Sequence, residues 1–244
     1  MYFLMPALPV LPMMMLYLLA ALLPAVYLMR YVWQHDTVES EPPGLLVLLI
    51  FAGVLAAVAS GYTEGFLQTL LSRMGMYALP RTLYMIVFAF VIVAAVEEGF
   101  KFLFLRLLTW KHPAFDYRFD ALVYAAFVSL GFAAFENVQY IFSYGLSLAI
   151  PRAVLSIPGH LSFSVFMGIF YGRAKMCSVR NYHIATALNL WGAWASAVLL
   201  HGIYDTCAML GTPVAMIVFM IFVLAMFAAA FRALKHISAA DAPV

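Results

Sequence analysis

Residues 82–109 read TLYMIVFAFVIVAAVEEGFKFLFLRLLT. The stretch is apolar for long enough to cross a bilayer, since a transmembrane helix needs about 20 mainly apolar residues. It nevertheless carries Glu97, Glu98 and Lys101 near its middle. Working outward from one polar break to the next gives more stretches of this kind, near 9–31, 44–71, 120–146, 151–173, 183–209 and 213–234. Pro42-Pro43-Gly44, Pro80, Pro113, Pro151 and Gly211-Thr212-Pro213 mark several of the breaks. The last two stretches are joined by so short a turn that they should pack as an antiparallel pair. The fold expected is all-α, a polytopic integral membrane bundle of about seven transmembrane helices. It forms a single membrane domain over residues 1–244.

Composition agrees with that reading. The 244 residues are 66% hydrophobic and 10% charged, against about 45–50% and about 25% in an average soluble domain. So few charges cannot cover a water-facing surface, which excludes a soluble enzyme, a nucleic-acid-binding domain and a disordered chain. A net charge of +2 argues for no anionic partner. Cys177 and Cys207 match neither a metal-ligand spacing nor a disulfide framework. Met1 to Pro6 carries no basic residue, and Pro6, Pro9 and Pro12 interrupt the first apolar stretch, so that span is expected to be retained rather than cleaved as a signal peptide.

Loop charge sets orientation. With seven spans, the side holding the N-terminus (side one) has Arg73, Arg81 and Arg152. Side two has Arg30, Arg106, Lys111, Arg118, Arg173, Lys175, Arg180, Arg232 and Lys235. The excess on side two places the N-terminus outside a cell membrane and the C-terminus in the cytoplasm.

Glu64, Glu97, Glu98, Glu136 and Asp205 fall inside the expected spans, with Lys101, His160 and His201. A charge at a helix centre costs roughly 2.5–3.5 kcal/mol on insertion scales, so intramembrane ionisable groups are functional candidates. Lys101 lies one turn from both Glu97 and Glu98, and the two acids point about 100° apart, so one is expected to face a reaction centre while the other pairs with Lys101. Phe132, Glu136 and Tyr140 form one stripe, with Asn137 beside it as an amide donor. His201 and Asp205 are one turn apart, so the aspartate can orient the imidazole or share a ligand. Pro158-Gly159 precedes His160, and Gly168 permits close helix approach. At 1.5 Å per residue, Glu98, Glu136, His160 and His201 all come to about 13–15 Å below the outer boundary. Glu64 reaches a similar depth but has no motif around it, and Tyr62-Thr63 could simply mark a wetter segment. Taken singly, the acids with Lys101 read as an internal ion pair and His160 as a satisfied core histidine; their common depth favours a site.

At these residues the chain resembles the PrsW family of intramembrane proteases, relatives of the CAAX prenyl endopeptidases. The family pattern is E-E-x-x-K, then F-x-x-x-E-x-x-x-Y, then H with G eight residues on, then H-x-x-x-D. Here it reads Glu97-Glu98-Gly99-Phe100-Lys101, Phe132 to Glu136 to Tyr140, His160 to Gly168, and His201 to Asp205, each in a separate span. The resemblance covers a protease-like core at about 80–210. It implies cleavage of a membrane-anchored protein, in the best-known members an anti-sigma factor cut first on its extracytoplasmic side to start a signalling cascade. Relatives have been described as metallopeptidases and as metal-free glutamate proteases.

The function expected is therefore an intramembrane endopeptidase acting on a single-pass membrane protein in the lipid bilayer, with no nucleic-acid partner. Peptide hydrolysis needs an activated water, a group to stabilise the oxyanion and a proton for the leaving amine. Glu97 or Glu98 would be the general base. His160, His201 and Glu136 would hold a divalent ion, zinc by first choice, or position water and oxyanion. Asn137 would donate to the oxyanion and Asp205 would support His201. Two rivals are a proton- or cation-coupled transporter, in which the same groups form a relay, and a non-catalytic scaffold related to the proteases. The transporter would favour internal repeats, which the chain lacks, and the scaffold should tolerate loss of the glutamate pair, which the chain keeps.

Overall fold

The computed structural model describes residues 10–244, so the leading segment with Pro6 and Pro9 lies outside the described residues. Seven helices are long and apolar enough to cross a membrane. They are α1 (Val10–Gln34), α2 (Pro43–Arg73), α3 (Arg81–Thr109), α4 (Asp120–Tyr144), α5 (Leu146–Val179), α6 (His183–Leu210) and α7 (Pro213–Ala239). Among the described residues there is no strand beyond an isolated bridge between Tyr117 and Pro243. Cys177 and Cys207 are free.

The bundle is built around α4, whose apolar window is 78% buried while that of α6 is 11% buried. A helix apolar all round belongs in the interior. Here α1, α2, α3 and α5 pack directly on α4. Small residues bring the backbones together. A Cβ on Gly131 would lie 2.9 Å from Ile50 Cα of α2, and one on Gly168 would lie 2.8 Å from Leu122 Cα. No side chain fits at either crossing. The turn at Gly211 (φ 61°) and Thr212, whose Oγ1 accepts from Ala215 N at 3.2 Å, folds α7 back against α6 as expected.

The fifth helix differs from the expected 151–173. Pro151 does not end the preceding loop; the break is at Gly145, at φ 89°, and Pro151 sits in the first turns of α5. A proline there lacks an N–H that no helix start needs. At the other end α5 runs on through Arg173 and Lys175 to Val179. Lys175 stays in the helix by laying its stem inward, its Nζ donating to Trp110 O at 2.8 Å. Two wide π-helical turns interrupt the spans, at Arg152–Ser156 in α5 and Phe88–Ala94 in α3. The first accommodates Pro158, which cannot donate to the residue one turn before it. The second lies just before Glu97, and such turns recur at functional sites.

On side two the C-terminal tail is tied to the loop that precedes α4. Arg118 N donates to Ala242 O at 3.0 Å, and Val244 N to Asp116 O at 2.8 Å. Asp241 Oδ1 accepts from Phe119 N at 2.9 Å, at the start of α4. Close by, Tyr124 Oη donates to Glu41 Oε2 at 2.6 Å. Burial pushes the Glu41 carboxyl from 4.5 up to about 7, against the hydrogen bonds of Tyr124 and Asp120 and with the charges of Asp36 and Glu39. Asp36 is pushed to about 6 by burial and then by the charge of Asp241. A carboxyl raised on folding binds its proton more tightly in the folded state, so stability is highest below about 4.5 and is lost as pH rises through about 7. The melting temperature in lipid or detergent should therefore fall between pH 5 and pH 8, and Glu41→Gln should flatten that fall. An unaltered pH slope in the variant would mean that other groups govern it.

Candidate active site

The four motif segments meet. Lys101 is at the centre, 1% exposed, with Nζ 3.1 Å from Glu97 Oε2, 2.7 Å from Glu98 Oε1 and 3.2 Å from His160 Nδ1. Its ammonium also lies 3.8 Å from the centroid of the Phe132 ring. The lysine thus pairs with both glutamates instead of one, because its long stem reaches back equally to positions three and four residues earlier. The two acids still differ. Glu97 lines a cavity of 660 Å³, while Glu98 is fully buried beneath it.

His201 stands between carboxylates, Nδ1 being 2.9 Å from Glu98 Oε1 and Nε2 3.4 Å from Asp205 Oδ2. Its ring stacks on Phe163 at 4.7 Å. His160 has both nitrogens engaged, Nδ1 with Lys101 and Nε2 with Glu136 Oε2 at 3.1 Å. Its backbone is held too, as Ser129 Oγ donates to His160 O at 2.9 Å. The stripe Phe132, Glu136 and Tyr140 does line the cavity, together with His160, His201 and Asp205.

Three residues enter the site that sequence reasoning placed elsewhere or left aside. Arg152 read as a loop charge, but α5 begins early enough to carry it inward, where its Nη2 donates to Glu136 Oε2 at 2.9 Å. Its guanidinium packs 4.0 Å from the centroid of Tyr140. Ser60 and Glu64 line the cavity from α2. An ionisable residue at catalytic depth was the only sequence signal for Glu64, and Ser60 had none. Asn137 is placed differently from the expected oxyanion donor. It is fully buried, its Nδ2 donates to Ala21 O at 2.8 Å, and its Oδ1 accepts from Arg152 Nε at 2.8 Å. Its amide is spent on α1 and Arg152.

The side chains that converge as a candidate metal site also differ from the expected set of His160, His201 and Glu136. Among the described residues, the donor atoms that converge are those of Glu97, Glu98 and His201, all within 4.8 Å of one another. His160 instead spends its two nitrogens on Lys101 and Glu136. Two carboxylates and an imidazole are donors of the type that catalytic zinc takes, and Glu98 Oε2 is buried with no hydrogen-bond partner. These residues fit a divalent ion.

Comparison with known proteins adds the lineage. The family model described as PrsW family intramembrane metalloprotease matches residues 41–230, from the start of α2 into α7. A protein named Protease PrsW from Geobacillus kaustophilus is 34% identical over 76% of this chain and 76% of its own length. One of the same name from Shouchella clausii is 36% identical over 77% and 80%. Another, from Halalkalibacterium halodurans, is 30% identical over 89% and 95%. No solved structure matches the chain. A match spanning α2 to α7, and near-full-length relatives that are proteases, answer both rival readings: the chain belongs to the PrsW family of intramembrane metalloproteases.

Proposed function

We propose that the chain cuts a single-pass membrane protein of the anti-sigma-factor class in the outer half of its span, with Glu97 as general base. The observation that carries this is the cavity. Glu97, Glu136, His160, His201 and Asp205 share it, and its lining residues come from the middle and the side-one halves of α2 to α7. By loop charge side one is outside the cell membrane and the C-terminus is cytoplasmic. Water therefore has the shorter way in from the extracytoplasmic surface.

Each residue has a task in that reading. Glu97 Oε2 is held by Lys101, and among the described residues Oε1 takes no hydrogen bond, leaving it to accept a proton from the attacking water. The same carboxyl then returns the proton to the leaving amine. Arg152 gives two of its five N–H groups to Glu136 and Asn137 and lines the cavity, so it is the donor placed for the oxyanion. Asn137 positions Arg152, and Glu136 orients His160 as Asp205 orients His201. A divalent ion held by Glu98, His201 and Glu97, with zinc the first choice, would polarise the carbonyl and acidify the water.

A substrate helix has its backbone groups internally bonded and must unwind before attack, which is least costly where a span meets water. Incubation of the purified protein in lipid with single-pass substrates, followed by terminal sequencing of both fragments, tests the proposal. The expected scissile bond lies in the outer half of the span or just beyond it, releasing the ectodomain. A bond on the cytoplasmic side would invert the orientation.

A further inference from the structure

Ser60 and Glu64 stand one helical turn apart on α2, and both line the cavity. Ser60 is 1% exposed and its Oγ has no hydrogen-bond partner; Glu64 Oε1 is likewise buried without one. The other acids of the site are all paired. Glu97 and Glu98 are 3.1 and 2.7 Å from Lys101, Glu136 is 2.9 Å from Arg152, and Asp205 is 3.4 Å from His201. Among the described residues, Glu64 has no such partner. Beside it, a Cβ on Gly61 would meet nothing within 4 Å, so this wall leaves room.

A buried carboxylate and hydroxyl without partners are costly in a bundle, and a ligand that supplies donors relieves that cost. Five carboxylates face two permanent cations, Lys101 and Arg152, both already engaged. A cation with several N–H donors would serve the Ser60 hydroxyl and the Glu64 carboxylate together. We propose that Ser60 and Glu64 form a substrate subsite that takes a Lys or Arg side chain from the unwound segment next to the scissile bond. The subsite rests on the reading of the cavity as the place of proteolysis. A lysine or arginine suits it because the apolar stem can lie along Ala57 and Gly61 while the head reaches the carboxylate. It makes the enzyme selective for spans whose cleavage region carries a basic residue.

The test uses the full chain in lipid nanodiscs and paired single-span substrates that differ by Lys or Gln, scanned residue by residue across the scissile bond. At one position the wild type should prefer Lys, and Glu64→Gln should lower kcat/KM for that substrate about 10- to 100-fold. For the Gln substrate the loss with Glu64→Gln should be much smaller, so that the ratio of kcat/KM for Lys over Gln collapses. Ser60→Ala should act in the same direction and less strongly, and Glu64→Lys should move the preference to a Glu-bearing substrate. Equal losses on both substrates, or none on either, would overturn the subsite. Binding of the same spans, followed by fluorescence anisotropy, separates this from the protease reading. Cleavage of neither span by the wild type would count against proteolysis, while a preference for the Lys span that Glu64→Gln removes would still uphold the subsite.

Discussion

Exchange of Glu97 for Gln is expected to slow peptide cleavage about 10²–10⁴-fold, the range set by loss of a general base. The glutamine keeps the shape of the side chain and an amide oxygen that can still face Lys101 and a divalent ion, so metal should be held more weakly rather than lost, but it cannot take a proton from water. Lys101 also keeps Glu98 at 2.7 Å, so its charge is not stranded and the melting temperature should change little. Glu98→Gln should behave differently. Glu98 is fully buried and its Oε1 holds Lys101 at 2.7 Å and His201 at 2.9 Å. Removing that charge loosens the anchor of Lys101 and of His201 at once, so activity and thermal stability should fall together. Rates from single-turnover cleavage and melting curves of both variants distinguish the two roles. Undiminished cleavage by Glu97→Gln would remove it from the chemistry.

The spans were legible because the bilayer fixes a length and the chain has too few polar residues to disguise it. The fifth failed at its start because Pro151 looks like a break in sequence, whereas a proline in the first turns of a helix costs little. That one boundary also hides Arg152, a loop charge by sequence and a cavity-lining cation beside Glu136 in the fold. The convergence of Glu98, Glu136, His160 and His201 was foreseeable from depth, since helical rise is constant. Their partners were not. Lys101 between two acids and a histidine, and Asn137 turned to the Ala21 carbonyl of α1, depend on how helices rotate against one another. Periodicity names a face but not what it meets. Glu64 is the clearest instance. It has no motif, and it joins the site because α2 packs across α4 at Gly53 and Gly131, where no side chain holds the helices apart.

Metal content should separate the two histidines. His201→Ala is expected to abolish binding of a divalent ion and cleavage with it, because it removes one of the three converging donors. His160→Ala is expected to leave the ion bound, with affinity reduced by no more than about 10–100-fold, the range for a residue that supports ligands from behind. It touches the donors from behind, through Lys101, 3.2 Å from its Nδ1, and edge-on against the His201 ring at 5.5 Å. Cleavage should still suffer in His160→Ala, since Glu136 and Lys101 lose the ring that links them. Elemental analysis and zinc titration of wild type and both variants in lipid, with activity measured before and after a strong chelator, decide the matter. Loss of metal in His160→Ala as complete as in His201→Ala would restore the ligand set of His160, His201 and Glu136. Negligible metal in all three, with wild-type cleavage unaffected by chelation, would leave Glu97 and the cations around it to activate water unaided. The buried Glu98 Oε2 weighs against that outcome, for a carboxylate oxygen without a donor in the interior of a bundle is costly, and a bound cation would relieve that cost.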